Sequence, residues 1–118
     1  MDAEKFAELI EKYVQKSAVN DLVQTFHNPT GKKPRDVLIR ISEWTKNLSA
    51  DDQKLLEEVI SESVRTALFG LFAVIDGART VDTGIDRFII AAQDQQGQRT
   101  FINEDGSVDL HDYFAPNS

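Results

Sequence analysis

The stretch that decides the fold is Ala67-Leu68-Phe69-Gly70-Leu71-Phe72-Ala73-Val74-Ile75-Asp76-Gly77. Residues 67–75 carry no charge. Asp76-Gly77 then supplies a strong stop, because glycine readily takes the left-handed conformation that closes a helix. Upstream, Leu55, Leu56, Val59, Ile60, Ser63, Val64, Ala67 and Leu68 recur at helical spacing, so the run is the second half of one long helix. Ser49-Ala50-Asp51-Asp52 resembles a capping box with Asp in its fourth position, which starts that helix near Ala50. The first half is amphipathic. The second half is apolar all round and needs cover on every side, which makes this helix the central element. Glycine in a helix interior costs about 1 kcal/mol relative to alanine, so Gly70 is expected to mark the close approach of another backbone.

Towards the N-terminus, Phe6, Leu9, Ile10, Tyr13 and Val14 form a helical stripe that begins at an Asp2 cap. Val19, Leu22, Val23 and Phe26 form a second stripe, rotated from the first by part of a turn. The helix is therefore expected to break or bend near Ser17, or to restart at Asn20-Asp21. His27-Asn28-Pro29-Thr30-Gly31 stops it. Pro34 suits the first turn of the next helix, whose stripe is Val37, Leu38, Ile41, Trp44, Thr45 and Leu48. Trp44, Phe69 and Phe72 read as core rather than as the lining of a ligand pocket.

Past Gly77 the vocabulary changes. Phe88-Ile89-Ile90-Ala91-Ala92 and Gln98-Arg99-Thr100-Phe101-Ile102 are strand-like, joined by the turn Asp94-Gln95-Gln96-Gly97. Asn103-Glu104-Asp105-Gly106 reads as a further turn. Leu110, Tyr113 and Phe114, at i, i+3 and i+4, predict a short terminal helix. The expected fold class is α+β: three to four helices, a C-terminal β-hairpin and a short terminal helix packed around the central apolar helix, as a single domain over residues 1–118. The segment from Leu68 to Arg79, followed by a hairpin and Leu110-His111-Asp112-Tyr113-Phe114, resembles a pattern in small uncharacterised bacterial proteins. That resemblance covers residues 68–114 and implies a small, single-domain bacterial protein, with no activity attached.

The chain has 118 residues, 41% hydrophobic and 28% charged, with no cysteine and a net charge of −7. This length supports one hydrophobic core without staples. Without cysteine there is no disulfide, thiolate nucleophile or thiolate metal site. The acidic balance argues against nucleic acid or an anionic membrane as partner. Met1-Asp2-Ala3-Glu4 is acidic where a secretory leader is basic, and no apolar run approaches the roughly 20 residues of a membrane helix. A cytoplasmic location is expected.

Charge layout is more informative than any motif. Between His27 and Leu48, Lys32, Lys33, Arg35, Arg40 and Lys46 outnumber Asp36 and Glu43. From Asp76 onward, eight acids face three arginines. Asp82, Asp86, Asp94, Glu104 and Asp105 are the candidate partner-binding residues, an acidic face aimed at a basic protein. Arg79, beside Asp76 and Asp82, is placed for a fork-shaped carboxylate pair. Asp109-Leu110-His111-Asp112 contains metal-ligand residue types. Asp109 nevertheless suits a helix cap and neighbouring helical residues point apart, so no metal and no cofactor are expected. His27 suits the carbonyl end of its helix. With Gly106 as the turn glycine of a calcium loop, Phe101 would fill the first ligand position, and the pattern fails. Gly31-Lys32-Lys33 lacks the upstream glycine of a phosphate loop.

The expected function is that of a non-enzymatic acidic protein-interaction module, with an immunity or antitoxin-like inhibitor of a basic partner as the natural candidate. The alternative is a small-molecule binder or small enzyme with a polar site at Arg79, His111 and Asp112. A homodimer is also expected, since a lone hairpin leaves two open edges with only Arg87 and Arg99 as nearby cations.

Overall fold

Asp2 accepts the Lys5 N–H through Oδ1 at 2.8 Å and so caps helix α1, Ala3–Ile10. The computed structural model describes residues 1–29, 31–104 and 109–116. Helix α1 continues through a π-helical stretch, Glu11–Lys16, into α2, Ser17–His27. The wider turn of that stretch takes up an extra residue, which rotates the second apolar stripe relative to the first. The irregularity expected near Ser17 as a break or bend is this π-helical stretch, which gives way to α2 at Ser17, and Asn20 and Asp21 lie inside α2 rather than at a new cap.

Helix α3 is Asp36–Thr45 and α4 is Ala50–Ile75. Ser49 Oγ accepts the Asp52 N–H at 3.1 Å, the cap its sequence implies. Strands β1, Ala91–Gln93, and β2, Arg99–Phe101, pair antiparallel with Ala91 opposite Phe101 and Gln93 opposite Arg99. A 3-10 helix, Leu110–Phe114, follows. The fold is α+β. Among the described residues no helix is long and apolar enough to cross a membrane.

The chain forms two compact units, Met1–Lys12 with Arg65–Ser118, and Tyr13–Val64. In the first, Phe72 is 3% exposed, with Phe6 edge-on at 6.0 Å and Phe114 stacked at 5.3 Å. Leu68, Ala73, Ile102 and Leu110 complete its centre with Ala3 and Ala7. Each large side chain buried there contributes roughly 1.5–3 kcal/mol. The Arg65 guanidinium donates to the carbonyls of Tyr113 (3.2 Å) and Ala115 (3.4 Å), which anchors the 3-10 helix.

Two expectations about α4 are corrected. Its apolar half is not covered all round: Leu71 is 53% exposed, and Ala67, one turn earlier on the same face, is exposed too. Gly70 meets no backbone either. A Cβ there would lie 3.4 Å from Nη1 of Arg79, an ordinary contact with a flexible side chain. The close backbone approach falls at Gly77, at φ +81°, where a Cβ would collide with the Asp86 carbonyl.

In the second unit α2 packs on α3. Thr45 and Ser42 are buried in α3, and the Thr45 hydroxyl donates to the Ser42 carbonyl at 3.0 Å. The Gln53 amide donates to the carbonyls of Thr45 and Leu48, both at 3.3 Å, satisfying the end of α3. Small polar residues therefore occupy the buried positions of α3. Trp44, about 100° round the helix from Thr45, is 55% exposed rather than core. Tyr13 and Val14, also read as stripe residues, are exposed as well.

Candidate functional site

Helix α4 ends at Ile75, and the next residue turns a carboxylate inward. Asp76 donates its N–H to Phe72 O at 2.8 Å, and the left-handed Gly77 reverses the chain behind it. The Asp76 side chain is only 1% exposed. Its Oδ2 accepts the backbone N–H of His111 at 2.8 Å and bonds His111 Nδ1, also at 2.8 Å. A carboxylate only accepts, so the proton of the second bond sits on Nδ1. The imidazole stands edge-on to Phe69, ring centres 5.5 Å apart, with Nε2 3.4 Å from Asp112 Oδ1. Asp76 Oδ1 is buried without a hydrogen-bond partner. Asp109 completes the group: Asp76, Asp109 and His111 each offer one ligating atom, all within 4.8 Å of one another.

This arrangement corrects two expectations. Asp76 pairs with His111, not with Arg79, whose guanidinium instead lies over Gly70. Asp109 stands at the N-cap of the 3-10 helix, yet its side chain makes no capping bond. Asp82 likewise does not pair with Arg79; its Oδ1 accepts the Gly84 N–H at 2.8 Å in a tight local turn. Of the alternative ligand site, His111 and Asp112 come together. No hydrogen bond or ion pair among the described residues joins Arg79 to either. A depression of about 130 Å³ in this unit is lined by Glu4, Ala7, Glu8, Glu11, Tyr113 and Phe114, and by none of Arg79, His111 and Asp112. Burial, with the carboxylates of Glu4 and Asp2, pushes the Tyr113 phenol above its ordinary pKa of 10.0.

The hairpin carries a second surface. Strand alternation and the pairing of Ala91 with Phe101 put Ile89, Ala91, Gln93, Arg99 and Phe101 on one side, with Ile90, Ala92, Thr100 and Ile102 on the other. Ile102 is buried and Ile90 half-buried, so the second side faces the core. The first side faces water, with Ile89 45% and Phe101 49% exposed. At the tip, Arg99 Nε donates to Gln93 Oε1 at 3.0 Å, and Asp94 Oδ1 accepts the N–H groups of Gln96 and Gln98 at 2.9 Å. Beyond the strands, Asn103 takes over the ladder. Its Oδ1 accepts the Ile90 N–H at 2.8 Å and its Nδ2 donates to Phe88 O at 2.9 Å. That is why regular pairing ends at Phe101 although the apolar pattern continues to Ile102.

Of the predicted partner-binding acids, Asp82, Asp86, Asp94 and Glu104 are all exposed. Asp86 reaches Arg87 only loosely, at 3.8 Å, with its side chain 97% exposed. Asp105 lies outside the described residues, as does Gly106 of the same predicted turn. Asp76 belongs to no such face, because it is buried. Asp76, Asn103 and the outward Ile89 and Phe101 are the residues that sequence reasoning missed. A signal existed for the first: a carboxylate at the negative end of a 26-residue helix is electrostatically misplaced and needs a compensating partner. Comparison of the chain with family models, with curated proteins and with solved structures finds no match.

Proposed function

We propose that the protein acts by protein–protein contact, through the water-facing side of its hairpin, and that its partner is basic. The observation that carries this reading is an exposed apolar pair, Ile89 and Phe101, on a segment that also displays Asp82, Asp86, Asp94 and Glu104. Exposed apolar residues on an acid-rich segment have the composition of a recognition surface: the apolar pair gives affinity, and the acids give rate and selectivity. An immunity or antitoxin-like inhibitor in the cytoplasm of a bacterium is the biological role that fits this chemistry. In binding assays with a basic nuclease domain encoded beside its gene, Phe101→Asp is expected to abolish the complex. Asp86→Asn is expected to slow association with little change in dissociation. Equal binding by all three proteins refutes the reading.

A second reading rests on a separate observation, the open edges of a two-stranded sheet. Two copies pairing hairpin edge to hairpin edge would cover one edge of each. Light scattering behind a sizing column then gives twice 13.3 kDa; a mass of 13.3 kDa at every concentration excludes it.

A further inference from the structure

The group at the end of α4 uses none of the residues assigned to protein contact. Its bland role is to tie the terminal 3-10 helix to α4, and the bonds of Asp76 Oδ2 to His111 accomplish that. Three observations go beyond a tie. Asp76 keeps a second oxygen buried and unpartnered, which costs free energy unless something binds it. Asp109 brings another carboxylate to the same place while its side chain makes no capping bond. Both acids gather near the carbonyl end of a long helix, where negative charge is disfavoured, and no Lys or Arg pairs with either among the described residues.

We propose that Asp76, Asp109 and His111 form a binding site for a divalent first-row transition ion. A cation answers all three observations: it bonds the orphaned oxygen, neutralises the carboxylate pair and offsets the helix end. Imidazole with two carboxylates is a borderline N/O donor set that suits zinc-like ions better than magnesium. Three protein ligands leave a coordination position open to water. The His111 side chain is 15% exposed and Asp109 half-buried, so the group is open to solvent on one side. The loaded ion adds a bond between α4 and the 3-10 helix that exists only in the folded chain, and so stabilises it.

The test uses the full chain, stripped with chelator and titrated with zinc chloride by calorimetry. Imidazole nitrogen resonances are followed in parallel; the chain has only two histidines, so His27→Gln assigns them. One zinc per chain, a raised Tm and a shift of His111 but not His27 are expected. Asp109→Asn removes the more accessible ligand while Asp76 and its bonds stay in place. It is expected to weaken zinc by at least the roughly 10–100-fold that losing an outer-shell partner costs. Asp94→Asn in the hairpin loop is expected to bind as the unaltered chain does. Lack of saturable one-to-one uptake, a shift of His27 instead, or undiminished binding by Asp109→Asn overturns the proposal. So does magnesium binding as tightly as zinc, because the imidazole would then contribute nothing.

Discussion

Replacing Gly77 by alanine probes the turn on which the C-terminal unit depends. Two costs follow from the structure. The backbone sits at φ +81°, where a Cβ costs roughly 1–2 kcal/mol. The added carbon would also collide with the Asp86 carbonyl, a backbone group that cannot rotate aside. The 86–88 segment must move, which strains the Phe88 N–H bond to Ile75 O, now 2.9 Å. Overpacking of this kind costs about 1–3 kcal/mol. Together the loss is about 2–5 kcal/mol. Gly97→Ala is the matched control: φ is +83°, yet nothing lies within 4 Å of the added carbon, so only the conformational cost applies. Urea unfolding followed by far-UV circular dichroism measures both. A Gly77→Ala loss within about 0.5 kcal/mol of the Gly97→Ala loss, the usual scatter of surface substitutions, would refute the close approach of residue 86.

Gly70→Ala is expected to stabilise by up to about 1 kcal/mol, since it improves helix propensity and meets only the Arg79 side chain, and a loss above that size in a thermal melt contradicts this placement. Asn103→Leu strands the Ile90 N–H and the Phe88 carbonyl and is expected to cost about 2–4 kcal/mol. Hydrogen exchange should show Ile90 losing protection, and an unchanged Ile90 amide would contradict it. The Tyr113 phenol holds its proton more tightly in the folded chain than in the unfolded one. Its contribution to stability is therefore complete below the unfolded pKa and is lost as pH rises through the folded value. Tyr113→Phe is expected to flatten the alkaline fall in stability, and an identical pH profile for the two proteins counts against the effect.

The long helix was legible because its signals agree: a Ser49 cap, continuous helical spacing and a glycine stop define α4 from Ala50 to Ile75. The hairpin was legible in outline, but its register depends on Asn103, whose side chain imitates a strand partner and leaves no periodic trace. The two apolar stripes before Pro29 were visible. Their offset placed an irregularity near Ser17 but left its kind open between a break, a bend and a new cap, because a π-helical turn has no compositional mark. Trp44 misled for a related reason: spacing tells which residues share a face, not which face is buried. At the candidate site His111 and Asp112 were singled out, while Asp76 was assigned to the nearer Arg79. The bond between Asp76 and His111 spans 35 residues of chain, and local pattern carries no information over that distance.

The central claim is that the water-facing side of the hairpin is a contact surface for a basic partner. It is tested most directly by the Kd for a basic nuclease domain encoded beside the gene, measured as salt rises from about 0.1 M to about 1 M. The screening length falls from about 10 Å to about 3 Å over that range. Affinity is predicted to drop steeply with salt, and Ile89→Asp is predicted to remove the binding that persists at high salt. Salt-independent binding, or binding that Ile89→Asp leaves intact, contradicts the claim.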